Sequence, residues 1–347
     1  MPVTQKEIAD RLGVSRQLVS FALSGRPGVS AKVRENVRLL AQELGYEAHT
    51  NRSARMLAGR RNGRRAKSGI IALILPSPTS SPIRNHPFHS QLMDNIELEA
   101  EVRGLDLFIC SIRNGGIPPL VRELGVDGMV TMGYNDSIFE TAREDGIPAV
   151  VFFHDAPGVI CLQIDVRKGM VQAAEHLIGL GHRSIAYLGH SPEFPNAIDR
   201  VAGYVDALKK HALPIEDRLQ EVSIVSQSTT VGARGFDALL ARDPSFARTG
   251  KPHFTGLVCY NDTLAMGAVE RAEELGISVP DDLSVVGFDD VSAAQGFRPA
   301  LTSVSFDRAA MGRRAVALLC AEDGTPADYR ETFPTHVEVR ASSGMPR

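Results

Sequence analysis

Few of the residues able to do covalent or metal chemistry stand where they could do it. Asp281–Asp282 and Asp289–Asp290 are paired carboxylates, the raw material of proton transfer. Both pairs fall at strand boundaries, where capping or ligand contact is use enough for an acid. His86 and His89 are three residues apart, yet the intervening Pro87 argues against a regular metal-binding helix. The four cysteines, Cys110, Cys161, Cys259 and Cys320, are far apart with no C-x-x-C pair, and three sit in apolar runs. They read as buried free thiols of a reducing compartment. No G-x-S-x-G elbow, P-loop or H-E-x-x-H occurs. No catalytic residue, no metal and no cofactor is expected.

Charge offers a different chemistry. Residues 1–67 carry 14 Lys/Arg and 5 Asp/Glu, a net of +9, so the rest of a chain whose total is −3 carries −12. A basic head on an acidic body suits a polyanion that binds the head alone. Charge blocks are also common on solvated surface, so the elements that carry them decide. The length of 347 residues implies two or three domains. With 43% hydrophobic and 23% charged residues the composition is that of a globular protein. No apolar run reaches the ~18 residues that span a bilayer. The first residues hold charge (Lys6, Glu7, Asp10, Arg11) where a secretory signal would be apolar. A cytoplasmic protein without a membrane partner is expected.

The first 45 residues read as three short helices. Thr4 and Glu7 form a capping box, and helix one runs to about Leu12. Gly13 breaks it. Ser15 opens a second helix to Leu23, and Ser30 opens a third, in which Val33, Val37, Leu40, Ala41 and Leu44 recur at helical spacing. Ala9, Gly13 and Val19 form an informative trio: a small residue for close packing, a glycine for φ > 0 in a tight turn, and an apolar plug. That spacing marks a DNA-binding helix-turn-helix, whose second helix enters the major groove. Any helical hairpin with a glycine turn could imitate it; the third helix and the basic balance support it. Residues 51–58 could form one more short helix, and 60–68 read as an Arg/Gly-rich linker.

From Gly69 strand-length apolar runs alternate with amphipathic helices. The runs are 70–75, 105–110, 128–132, 149–153, 160–164, 184–188, 222–225, 256–260, 283–288 and 302–306. The helices are 88–103, 137–145, 167–180, 199–211, 231–242, 261–275 and 307–320. Such alternation implies parallel sheets covered on both faces. Ten strands are too many for one comfortable sheet, so two subdomains are expected.

The chain resembles the lac repressor (LacI/GalR) family. The resemblance rests on VTQKEIADRLGVSRQLVSFALSGRPGVSAKVRENVRLLAQELGY (Val3–Tyr46) and NRSARMLAG (Asn51–Gly59). It continues through GIIALILP, VDGMVTM, HLIGLGHRSIAYLGH, RVAGYVDAL, YNDTLAMGAVERAEELGISVPDDLSVVGFDD and PALTSV, to about Ser305. It implies an all-α helix-turn-helix head (1–50), a hinge helix and linker (51–68), and an α/β periplasmic-binding-protein-like body (69–347). The body would have two doubly wound subdomains joined by three crossovers, an N-subdomain of about 69–163 and 291–320 and a C-subdomain of about 164–290 and 321–347. The implied function is sequence-specific transcriptional regulation, with repression as the expected sign. A small molecule in the interdomain cleft, a sugar or related metabolite, would control it. The implied partners are pseudo-palindromic operator DNA and a second copy of the chain.

For the head, the resemblance places Arg16 and Gln17 on base edges, where Arg can be bidentate to guanine and Gln to adenine. Thr4, Ser15 and Ser20 would hold phosphates or the ends that do so. Two residues depart from the family: Leu18 stands for a usual Thr, and Phe21 for a usual Arg. Phe21 either touches a thymine methyl or packs inward. In the hinge, Leu57 with Ala58 would wedge into the minor groove, flanked by Asn51, Arg52 and Arg55, with the arginines on phosphates.

For the body, the implied effector contacts are Phe88, His89, Phe153, Arg200, Asn261, Asp289 and Phe297. Here too there are departures. His89 replaces an aromatic and Phe153 an Asp common in sugar-responsive relatives. The stretch between 110 and 128 is short, trimming a helix. These departures point away from a common hexose. A free binding protein would lack residues 1–60, and a sugar-metabolising enzyme would need a nucleophile–base pair. The chain ends near Gly344 without leucine heptads, so a coiled-coil tetramer is not expected.

Overall fold

A computed structural model describes residues 5–23, 29–44, 67–75, 87–112, 116–132, 136–193, 196–224, 228–321 and 324–347. Thr4 of the expected capping box and the hinge residues Asn51, Arg52, Arg55, Leu57 and Ala58 lie outside them. The chain divides into two compact units, Met1–Ser68 and Gly69–Arg347.

The first unit is a three-helix head: α1 (Gln5–Leu12), α2 (Arg16–Leu23) and α3 (Ala31–Glu43). Its small core is Ile8, Ala9, Val19, Ala22, Val37 and Ala41, with Leu12, Val14, Val33, Leu40 and Leu44 packed around it. Gly13 takes φ +63°, which lets the chain turn so that Val14 N–H reaches Ala9 O at 3.1 Å. Ser15 Oγ accepts from Leu18 N at 3.2 Å, and Ser30 caps α3 through Val33 N.

The second unit holds two six-stranded sheets, in the orders β11-β5-β4-β3-β1-β2 and β12-β10-β9-β8-β6-β7. The first comprises β1 (Ile70–Leu75), β2 (Asp106–Ser111), β3 (Gly128–Met132), β4 (Ala149–Phe152), β5 (Ile160–Ile164) and β11 (Arg330–Phe333). The second comprises β6 (Ile185–His190), β7 (Gln220–Ile224), β8 (Gly256–Cys259), β9 (Ser284–Phe288), β10 (Thr302–Ser305) and β12 (His336–Glu338). Every pairing is parallel except β10 with β12. Strands such as IIALIL in β1 are buried throughout because helices cover both faces. The edge strand β2 is half-exposed.

The covering helices are α4 (Pro87–Val102), α5 (Pro119–Leu124), α6 (Asp136–Glu144), α7 (Val166–Leu180), α8 (Ala197–Lys210), α9 (Thr229–Ala241), α10 (Pro244–Thr249), α11 (Asp262–Glu274), α12 (Ser292–Gly296) and α13 (Arg308–Leu319). One apolar core runs continuously through both sheets, and a second fills the outer face of the first. Helices α9 and α11 cross in close contact because two glycines allow it. A Cβ on Gly267 would strike the Thr229 carbonyl oxygen, and one on Gly232 the Leu264 carbonyl. Among the described residues no helix is long and apolar enough to cross a membrane.

The expected subdomain boundaries need correction near the C-terminus. Residues 291–305 were expected with the first subdomain, but β10 pairs with β9 in the second sheet. The chain leaves that sheet only after Ser305, when α13 packs on α4. Residues 321–347 do not stay together either: β11 joins β5 in the first sheet and β12 joins β10 in the second. RETF and HVE are too short and too polar to reveal a strand period.

Candidate functional site

Helix α2 presents a polar face. On α2, Val19 and Ala22 turn inward, while Ser15, Arg16 and Gln17 are exposed and Ser20 and Phe21 are half-buried. Positions 16, 17, 20 and 21 are three or four residues apart and share a helical face. Phe21 is half-buried, four residues after Gln17 on α2. Ser15 spends its hydroxyl on capping α2.

The body gathers its polar side chains at the carboxyl ends of the second sheet's strands, where doubly wound sheets leave a crevice. Arg200, on α8, is the anchor. Its guanidinium lies 4.2 Å from the centroid of the Tyr260 ring and 4.0 Å from that of Phe288. Nη1 donates to the Tyr260 carbonyl, and Nη2 donates to Asp289 Oδ1 at 3.3 Å. Asp289 and Asp290 follow β9 with φ +97° and +47°. Two successive residues in the left-handed region turn both carboxylates out of the strand direction, a conformation Asp tolerates better than most. Asp290 pairs with Arg340 at 2.6 Å and accepts from Ser305 Oγ at 2.9 Å.

Asp262, wholly buried at the start of α11, accepts from Val291 N (2.8 Å) and Ser303 Oγ (2.5 Å). Burial, then the neighbouring Asp289, pushes its carboxyl well above the ordinary range. Gly287 makes room for it, since a Cβ there would meet Asp262 Oδ1. Asn261 caps α11, its Oδ1 accepting from Leu264 N at 3.0 Å.

Aromatic rings form the other wall. Phe88 lies 5.2 Å from Phe153 and 6.0 Å from Phe306, and Phe153 lies 6.3 Å from Phe306, centroid to centroid. His89 meets Phe88 edge-on at 5.1 Å. Phe153 holds φ +65°, a backbone outlier for a bulky side chain at the end of β4. Arg308, in the first turn of α13, sits over Phe306 at 4.6 Å and near Phe88 at 5.8 Å. The charges of Asp289, Asp290 and Asp262 reach it.

The structure thus brings together Phe88, His89 and Phe153 on one side and Arg200, Asn261 and Asp289 on the other. Phe297 is half-buried against the body's core and makes no ring contact with the cluster among the described residues. Asp290 was noted from sequence as half of an acidic pair at a strand boundary and Asp262 as an acid at a strand's carboxyl end, whereas Phe306 and Arg308 were not singled out. Phe306 ends the apolar run 302–306 and Arg308 lies two residues beyond it, past the carboxyl end of β10, and that position was the available signal.

A basic three-helix reader on a two-sheet body with a polar and aromatic cleft defines a ligand-responsive DNA-binding regulator. Comparison with known proteins agrees. A periplasmic binding protein-like domain matches residues 174–343. The regulator MalR of Streptomyces coelicolor, an HTH-type transcriptional regulator, is 30% identical over 97% of this chain and 95% of its own. The lac repressor dimer bound to operator and the anti-inducer ONPF is 22% identical, with TM-score 0.73 over 99% of this chain and 100% of that one. A LacI family regulator from Enterococcus faecium with bound ribose is 24% identical, with TM-score 0.66 over 80% of this chain and 99% of that one. The chain belongs to the LacI/GalR family of helix-turn-helix transcriptional regulators and is not an enzyme.

Proposed function

We propose that this regulator acts as a cytoplasmic homodimeric repressor, released from or driven onto a pseudo-palindromic operator by a metabolite bound in the body's cleft. The reading rests on one observation above others: Arg16 and Gln17 stand exposed on the first turn of α2 while Val19 and Ala22 lock its other face into the core. Arg16 and Gln17 read base edges, Ser15 and Ser20 set the register on phosphates, and Phe21 meets a thymine methyl. Thr4 supports the entry of α1. Asn51, Arg52, Arg55, Leu57 and Ala58 form the hinge in the minor groove.

The effector, a sugar or related metabolite as in the ribose-bound neighbour, lies between Phe88, His89, Phe153 and Phe297 and the polar group of Arg200, Asn261 and Asp289. Dimerisation uses the first sheet's side. Leu98 and Val102 of α4 and Leu120 of α5 are large exposed apolar residues there, beside the half-exposed edge strand β2. Effector and DNA affinity are coupled reciprocally. Titrating ribose and related metabolites into the operator complex tests the coupling: DNA must shift effector affinity by the same factor by which effector shifts DNA affinity. Equal effector affinity for free and DNA-bound protein would contradict it.

A further inference from the structure

Among the described residues, Arg308 is a cleft arginine that forms no salt bridge, unlike Arg200 and Arg340. Its Nε and Nη2 are shut off from solvent and have no hydrogen-bond acceptor, and burial lowers its pKa. The neighbouring charges are already matched. Arg200 holds Asp289, Arg340 holds Asp290, and both oxygens of Asp262 accept hydrogen bonds, from Val291 N and Ser303 Oγ. Two guanidinium nitrogens of Arg308 are left without acceptors, in surroundings where an unpaired charged donor is costly. The Phe306 and Phe88 rings compensate part of it through their faces. A guanidinium lying over a ring face still has its N–H donors in its own plane, the geometry that accepts a carboxylate or phosphate in bidentate fashion.

Beside Arg308, between α4 and α13, is a hollow of about 340 Å³ bordered by Gln91, Asp94, Asn95, Phe306 and Asp307. Both acids of this rim are exposed to water, and Asp307 caps α13 through Ala310 N at 2.7 Å.

We propose that the cleft takes a small organic anion, its carboxylate or phosphate on Arg308 and its less polar body against Phe88, Phe153 and Phe306. This rests on the reading of the cleft as the effector site and names the chemical class of the effector.

The test uses the full chain and its Arg308→Leu variant, melted in sodium chloride, acetate and phosphate at matched ionic strength. Hydrogen exchange then locates any effect. Wild type is expected to melt higher in acetate or phosphate than in chloride, and the larger rise tells carboxylate from phosphate. R308L loses that rise and, in chloride, melts no lower than wild type, because it removes two buried donors that lack acceptors. Exchange protection falls at 88–92 and 286–291. The proposal is overturned if R308L keeps the anion response, or if it melts lower in chloride, as a structural arginine would require. It also fails if wild type shows no response. If ribose then protects 286–291 in both proteins, the effector cleft stands and only its anion preference falls. If an Arg308-dependent response protects other segments alone, the cleft reading falls as well.

Discussion

Arg200 on α8 and Asp289 at the end of β9 meet at 3.3 Å with both side chains 7% exposed. A pair this buried contributes little net stability over apolar residues of equal size, because both ions are desolvated. Removing one partner is another matter, since it strands the other. Arg200→Ala is expected to destabilise the body by about 3–5 kcal/mol, read from denaturant unfolding. Asp289→Asn keeps the shape and removes the charge. It should cost less stability, abolish the effector's influence on DNA binding, and leave operator binding itself in place. An Asp289→Asn protein with normal effector response would remove Asp289 from the site.

On α2 the exposed side chains divide by what they would touch. Arg16→Ala and Gln17→Ala should each lose about 1–3 kcal/mol of discrimination at one base pair of each half-site. Ser20→Ala should weaken specific and non-specific binding alike. Fluorescence anisotropy with operator and with single-base variants separates the two patterns. Uniform loss from Arg16→Ala would make it a phosphate contact.

Leu98 and Val102 stand four residues apart on α4, 60% and 74% exposed. Paired substitution to glutamate should convert the dimer to monomers by light scattering and lower operator affinity, because each half-site would then bind one head alone. A double variant that stays dimeric would move the interface elsewhere.

The C-terminal segment is fastened by two histidines. His182 Nε2 donates to Gly344 O at 2.9 Å, and its Nδ1 lies 2.8 Å from the Thr255 hydroxyl. His176 Nε2 lies 2.8 Å from Ser343 Oγ. Burial holds both pKa values below the ordinary one. The unfolded chain therefore takes up protons on acidification before the folded chain does. Stability is complete above about pH 6.5 and falls as pH drops below it. Melting curves between pH 8 and pH 5 should show this slope, and His182→Gln should flatten it. A slope unchanged in that variant would assign the acid loss to other groups.

Much of this architecture is legible in the chain itself. Apolar runs such as IIALIL and the 3.6-residue period of α3 express burial directly, and Gly13 marks a turn that only a positive φ can make. Short elements are not legible. RETF, HVE, α10 and α12 span too few residues for a period to emerge, which displaced the expected subdomain boundary from the end of β10 to residue 291. At the cleft, Arg200 and Asp289 came from the resemblance to the LacI/GalR family. The Phe88–Phe153–Phe306 cluster is different: its members lie on α4, at the end of β4 and after β10. Nothing local announces that three strand ends converge, and Arg308 becomes visible only once Asp289, Asp290 and Asp262 are seen with their partners.

The most direct test of a ligand-controlled reader is selection of bound DNA from a random pool by the full-length protein at moderate salt, with and without metabolite extract. The expected result is a palindromic consensus with two half-sites about one helical turn apart, enriched or depleted when the extract is present, and bound with an affinity that falls steeply as salt rises. Recovery of no enriched sequence at any salt, with and without extract, would contradict it.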